Sequence, residues 1–390
     1  MQRVYLDNNA STPVLPEVFE AMRPYYLERF GNASSIHHYG QHARAAVERA
    51  RNSVAALLNA RPAEIVFTSG GTEADNLGIF GLVREGDHAI SSTIEHSAVT
   101  NTCKRLEQMG VEITFVPVTH RGEVDPDEVR RALRPNTRLI SIMMANNESG
   151  VVQPVEEIGK IALEADVFFH TDAVQAAGKV PVDVQKIQCD ALSISGHKIH
   201  GPQGTGALFI KKGTLIQPLI YGGSHERQRR AGTENLPGIV GLGKAAELSK
   251  FWLQHDGPAE MAAMRDRLEN AVLESVEGTG VNGLGAPRVP NTTSIYFDHV
   301  EGEALVIALD LKGLSVSSGA ACSSGAIEPS HVLLAMGLSH DRARGSLRLS
   351  LGKQTTKEEV EFAIQVIPET VARLRELSPT YQKAVVGSQR

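Results

Sequence analysis

The chain has 390 residues, a net charge of −6 and three cysteines, with 5% aromatic residues and 36 glycines. That length supports a large core in more than one lobe, and the acidic balance gives no reason to expect nucleic acid or an anionic membrane surface as a partner. No stretch reaches the ~18 apolar residues of a membrane span, "MQRVYLDNNAST" opens with an apolar run too short for a signal peptide, and Cys103, Cys189 and Cys322 form neither a CxxC pair nor an even framework, so a soluble, cytoplasmic protein in a reducing compartment is expected.

Short apolar runs alternate with helical patterns from about Pro16 to Leu248. "EIVFTSGG" reads as strand and turn, "TEADNLGIFGLV" as the helix after it, "HAISSTIEHS" as strand and loop, and "AVTNTCKRLEQMG" as a helix. "VEITFVPV", "TRLISIMMANNE", "ADVFFHTDA", "CDALSISG" and "GALFIKK" are further strands. This order predicts an α/β fold with a mostly parallel sheet flanked by helices. Past Phe251 come a long helix in "AEMAAMRDRLENAVLESV", the strand "TTSIYFDHV", a helix "GEALVIALDLKG", the small-residue segment "LSVSSGAACSSGAIEPSHV", the strand "GSLRLSLG" and a last helix ending in "LREL". We therefore expect a large domain over 15–250 and a smaller α+β domain made of 1–14 and 251–390.

In such sheets ligands gather at the carboxyl ends of strands. Thr72, His96, Asn147, Asp172 and Lys198 all follow strand candidates directly. "TSGGTEADN" runs from a strand through two glycines into a helix, where close backbone approach and unpaired N–H groups suit a phosphate; a plain threonine cap is the alternative. Asp172, with Gln175 three residues on, is a carboxylate at a depth that requires a partner, and a protonated ring nitrogen would serve. His38 and His42 stand four apart, but neither an HExxH glutamate nor a third ligand accompanies them, so no metal is expected. "GGSHERQRRAGTENLPG" groups basic side chains near Thr233; an anion site or subunit-contact loop fits it better than nucleic acid. Lys198, between two histidines after an apolar run, becomes a usable amine if burial and nearby positive charge lower its pKa. A phosphate cradle, an acid for a ring nitrogen, a histidine and a buried lysine together match pyridoxal 5'-phosphate.

The chain resembles the cysteine desulfurases of the nitrogen-fixation and iron–sulfur-cluster type, class-V aminotransferase-like enzymes of PLP fold type I. "VYLDNNAST", "FGNASSIHHYG", "EIVFTSGGTEADN", "ANNESGVVQP", "HTDAVQAAGK", "SGHKIHGPQGTGAL", "RRAGTENLPGIVGLG", "SSGAACSSGAIEPSHV" and "LRLSLG" carry the resemblance in order along nearly the whole chain. Ala33 where proline is common, and "GAACSS" in place of "GSACTS", are departures that touch no assigned role. The resemblance implies that Lys198 holds the cofactor covalently. Gly71, Thr72, Ser195 and His197 would bind its phosphate, and Thr233 would reach the phosphate of the other subunit of a homodimer. His96 would stack on the ring and shuttle protons, Asp172 would pair with the ring nitrogen, and Gln175 would bond the ring oxygen. Asn147 and Arg348 would hold the carboxylate of L-cysteine, the arginine through its planar fork. Cys322, among small polar residues in a segment free to move, would attack the substrate sulfur as a thiolate, release L-alanine and keep a persulfide for an iron–sulfur scaffold or another sulfur acceptor. Cys103 and Cys189 read as structural. A selenocysteine lyase is the nearest rival, an aminotransferase or a non-catalytic assembly subunit the more distant ones.

Overall fold

The computed structural model describes residues 3–318, 328–377 and Tyr381. After a short strand β1 (Val4–Tyr5), seven strands follow in the first two thirds of the chain: β2 (Ile65–Thr68), β3 (His88–Ser92), β4 (Glu112–Val116), β5 (Thr137–Ser141), β6 (Phe168–Asp172), β7 (Ala191–Ser195) and β8 (Gly206–Ile210). They form one sheet in the order β2-β8-β7-β6-β5-β3-β4. β8 runs antiparallel to both its neighbours, and the other pairs are parallel. Every residue of β2, β7 and β8 is buried, which explains their unbroken apolar reading: helices cover both faces. The two-residue alternation of a strand still sorts them. Ile65, Phe67, Leu192, Ile194, Ala207 and Phe209 enter one core, while Val66, Ala191, Leu208 and Ile210 enter the other. The first core is closed by the helices His38–Leu58 and Leu236–Leu253. Gly243 lets these two approach closely, since a Cβ there would lie 2.5 Å from the Ala50 Cα.

β9 (Thr279–Val281), β10 (Thr292–Phe297) and β12 (Ser346–Ser350) make a separate antiparallel sheet, and β11 (Leu314–Ser315) pairs with β1 in parallel. Helices Gly257–Ser275 and Lys357–Leu377 back this sheet around a third core. Val4 and Leu6 belong to that core, so the N-terminal segment starts in the smaller layer. It then crosses to the large sheet, where the Thr12 N–H donates to the His197 carbonyl at 2.9 Å. β2, β3, β5, β6 and β7 all point their carboxyl ends to one side, and the N-terminal strap passes over that edge. No helix among the described residues is long and apolar enough to cross a membrane.

Candidate active site

A cavity of about 380 Å³ opens at this edge, lined among others by Ser11, Gly71, Thr72, Glu73, Ser195 and His197. Its floor is the start of the helix Gly71–Phe80, which follows β2 after two residues. The glycines there are packing requirements. A Cβ on Gly71 would lie 2.8 Å from Val174 Cγ2, and one on Gly206 would lie 2.6 Å from the Gly70 backbone. Ser195 Oγ is buried with no hydrogen-bond partner among the described residues. Glu73 places a carboxylate in the helix's first turn. Burial would raise its pKa, but Arg230 at 2.8 Å and the Ser69 N–H at 2.8 Å outweigh that and hold it below the usual range. The acid is thus neutralised beside an electropositive helix end. His197, bonded through Nδ1 to Ser11 Oγ at 3.3 Å, is pushed down to about 4 by burial and then by Lys198.

Lys198 ends a short turn, Gly196–Lys198, directly after β7. Its Nζ donates to the Asn9 carbonyl at 2.5 Å and the Ala10 carbonyl at 2.8 Å. Burial, then the positive charge of Arg348, lowers it to about 8, against the opposing pull of Asp172 and Asp7. Asp172, the last residue of β6, accepts the Val174 N–H at 2.8 Å. His96 caps the helix Ser97–Glu107; its Nδ1 accepts the Ala98 N–H at 3.1 Å, which leaves Nε2 to carry the proton of the neutral ring. Burial lowers its pKa, with Asp172 pulling the other way. Gln175 accepts from Lys179 Nζ at 2.6 Å and donates to the Asn9 carbonyl at 2.9 Å, so one amide hydrogen is left over.

Arg348 stands on β12, with Leu347 and Leu349 turned into the core behind it. Its fork holds Asp7 at 2.7 Å and the Asn147 carbonyl at 3.0 Å, and its Nε is buried without a partner among the described residues. Asn147 Oδ1 is likewise buried and unpartnered among the described residues. Thr233 is exposed and does not line this cavity. The basic loop around it is tied down internally. Arg51 grips Glu226 through two bonds of 2.8 Å, both side chains buried.

Known proteins sort this arrangement. The class-V aminotransferase family profile matches residues 4–362. The cysteine desulfurase IscS of Methanosarcina thermophila is 50% identical, covering 97% of this chain and 95% of its own length. The chain belongs to the class-V aminotransferases, among the cysteine desulfurases. A solved NifS-like protein superposes with a TM-score of 0.88 at 38% identity, covering 96% of this chain and all of that one. SspA in complex with cysteine superposes at 0.80, also 38% identical, over 90% of this chain and 100% of its own. This is a pyridoxal-phosphate family, and the enzyme is a cysteine desulfurase.

Of the residues singled out in the desulfurase sequence, Gly71, Thr72, Ser195 and His197 line the cavity. Electrostatic coupling joins His96, Asp172, Lys198 and Arg348. Cys322 lies outside the described residues. The segments on either side of it are anchored at the site: Ser317 pairs with Arg348 through the backbone, Ser330 Oγ donates to Glu148, and His331 Nε2 meets the Glu95 carbonyl at 3.0 Å. Cys103 and Cys189 are buried free thiols, and burial pushes Cys103 up to about 12. Sequence reasoning missed Asp7, Asn9 and Lys179. Their signal was the polar "DNNAST" strap and the lysine of "AAGK", which carry no periodicity.

Proposed function

We propose that the chain converts L-cysteine to L-alanine with pyridoxal 5'-phosphate and leaves the sulfur as a persulfide on Cys322. The observation that carries this reading is the buried amine of Lys198, lowered to about 8, within the field of a buried carboxylate and Arg348. The residues fit the cofactor: the unpartnered Ser195 hydroxyl in a glycine-walled cradle suits a phosphate, and Asp172 suits a ring N–H. Lys198 would hold the aldehyde carbon, with Gly71, Thr72, Ser195 and His197 around the phosphate, His96 over the ring, and Gln175 turning its free amide hydrogen to the ring oxygen. Once bound, the cofactor supplies an electron sink for the substrate's α-carbon.

Each residue then has a physical task. Arg348, with Asn147, takes the substrate carboxylate by a charge-assisted fork. Lys198 Nζ removes the α-proton, and its lowered pKa makes the free base available near neutrality. Asp172 keeps the ring nitrogen protonated. The Cys322 thiolate attacks the substrate sulfur: the S–S bond forms, the C–S bond breaks with its electron pair going to the β-carbon, which takes a proton, and the α-carbon takes back the proton that Lys198 removed, which gives alanine. An iron–sulfur scaffold or another sulfur-acceptor protein then collects the terminal sulfur. On this reading 15–250 form the cofactor unit, and 1–14 with 251–390 carry the cysteine.

We also propose a homodimer in which Thr233 serves the partner's phosphate. The exposed apolar side chains of Phe19, Tyr26, Leu27, Phe30, Ile36 and Leu215 support a buried face. The test of the main proposal is Cys322→Ala and Lys198→Ala against wild type, with sulfide release and persulfide mapping by mass spectrometry. Cys322→Ala should bind cofactor and cysteine yet form no persulfide, and Lys198→Ala should not turn over. Persulfide on Cys103 or Cys189, or wild-type sulfide release by either variant, would overturn it. Turnover of selenocysteine by a wild-type enzyme that ignores cysteine would favour the lyase.

A further inference from the structure

A second carboxyl is buried on the face of the sheet that carries Asp172: Asp75 Oδ1 lies 3.7 Å from Nε2 of His170, which stands two residues before Asp172 on β6 and so on the same face. Asp75 lies within the first two turns of the helix Gly71–Phe80 and is 1% exposed. Burial and the charge of Asp172 both raise its pKa. The two acids differ in what surrounds them. Burial raises Asp172 too, but His96, the Val174 N–H and Lys198 all favour its charge. Asp75 has only a hydroxyl, that of Ser193, to favour its charged form, and its Oδ1 has no hydrogen-bond partner among the described residues.

The basic group beside Asp75 cannot act as its cation. His170 Nε2 is 3.7 Å from Oδ1, but the ring is fully buried between the hydroxyls of Ser141 at 2.9 Å and Ser193 at 3.0 Å, and burial pushes it down to about 3. The other titratable group that acts on Asp75 is Glu95, after β3, buried and held by Ser92 Oγ and the Met143 N–H; burial pushes it up to about 8, so near neutrality it is largely protonated and offers Asp75 no counter-charge. Two carboxyls that share a dry site and repel one another hold one proton between them, and it goes to the acid with fewer donors.

We propose that Asp75 is a neutral carboxylic acid in the working enzyme and a positioning residue for Asp172: it carries the proton of the pair, so that a single carboxylate charge remains, on Asp172. This rests on the assignment of Asp172 to the ring nitrogen. Asparagine copies the shape and neutrality of the protonated acid and supplies a donor, so Asp75→Asn is the informative variant.

The experiment uses the holoenzyme. Infrared difference spectra of wild type minus Asp75→Asn at neutral pH should show a protonated-carboxyl C=O band, and the absorbance of the bound cofactor should titrate at the same pH in both proteins. Cofactor affinity by equilibrium dialysis should fall at least about tenfold in Asp75→Ala and return in Asp75→Asn. A carboxylate band in its place, or a drop of about a unit or more in the absorbance pKa of Asp75→Asn, would show an ionised Asp75 and overturn the proposal. Unchanged affinity in Asp75→Ala would overturn the positioning role. If Asp75→Ala does not fold, the infrared and titration results on Asp75→Asn still decide the charge state. Asp172→Asn is the control: wild-type cofactor affinity there would overturn the assignment of Asp172, whereas the infrared band reports on Asp75 alone.

Discussion

Two residues carry unusual electrostatic burdens. Lys198 is largely buried, with no carboxylate in direct contact among the described residues, and its folded pKa of about 8 lies below the 10.5 of a free lysine. Between those values the unfolded chain binds more protons than the folded one, so stability rises with pH across that window; below about 8 the full penalty applies. Lys198→Met removes the titration and takes the donor from the Ala10 carbonyl, while the Asn9 carbonyl keeps the Gln175 amide. As pH rises from 8 to 10.5, the apoprotein should therefore gain on this variant by on the order of 3 kcal/mol. Parallel stability curves in urea unfolding would show that Lys198 is not depressed. Arg348 is bound to Asp7, and its Nε, without a partner among the described residues, and the fork geometry leave it suited to a second carboxylate. Arg348→Ala should weaken L-cysteine by about 1.5–3 kcal/mol more than cysteamine, which lacks the carboxylate. Equal weakening in binding assays would remove Arg348 from that role.

At the scale of elements, the loop His225–Gln228 holds Glu226, Arg227 and Gln228 at positive φ, a region that side chains resist. What fixes it is the buried pair of Glu226 with Arg51 on the helix His38–Leu58, supported by the Phe67 N–H of β2 at 3.0 Å. Glu226→Ala takes the two-bond partner from a buried guanidinium, which keeps Glu48 at 3.1 Å and the Ile65 carbonyl at 2.8 Å, and should destabilise the fold by about 1.5–3 kcal/mol. Arg51→Met with Glu226→Leu should recover part of that loss, because neither charge is then stranded. Urea midpoints check both; a single variant within about 1 kcal/mol of wild type would mean that the pair does not hold the loop.

For the whole molecule, the proposal that Thr233 acts across a dimer has a direct test. Lys198→Ala and Thr233→Ala each damage a site. In a heterodimer of the two, trans action gives one site both defects and the other none. Random reassortment of equal amounts should restore about a quarter of wild-type sites. Activity that stays at the average of the two variants would place Thr233 in its own subunit's site, or outside any site.

The sequence by itself determined the elements and their order. β2, β7 and β8 read as short apolar runs because both faces are buried, and each functional position after a strand is fixed by local chain geometry: Thr72 past two glycines, His96 as a helix cap, Asp172 ending β6, Lys198 in the turn after β7. The pattern around Arg348 was equally local, since strand alternation turns Leu347 and Leu349 away from it. Tertiary structure alone decided the partners. Asp7 meets Arg348 across 341 residues of chain, Asn9 joins Lys198, Gln175 and Lys179, and Asp75 comes to lie beside His170 on the face of the sheet that carries Asp172. Periodicity reports which face of an element is buried. It does not report what a polar side chain meets there, because charge, desolvation and hydrogen bonding depend on the neighbours that folding brings together.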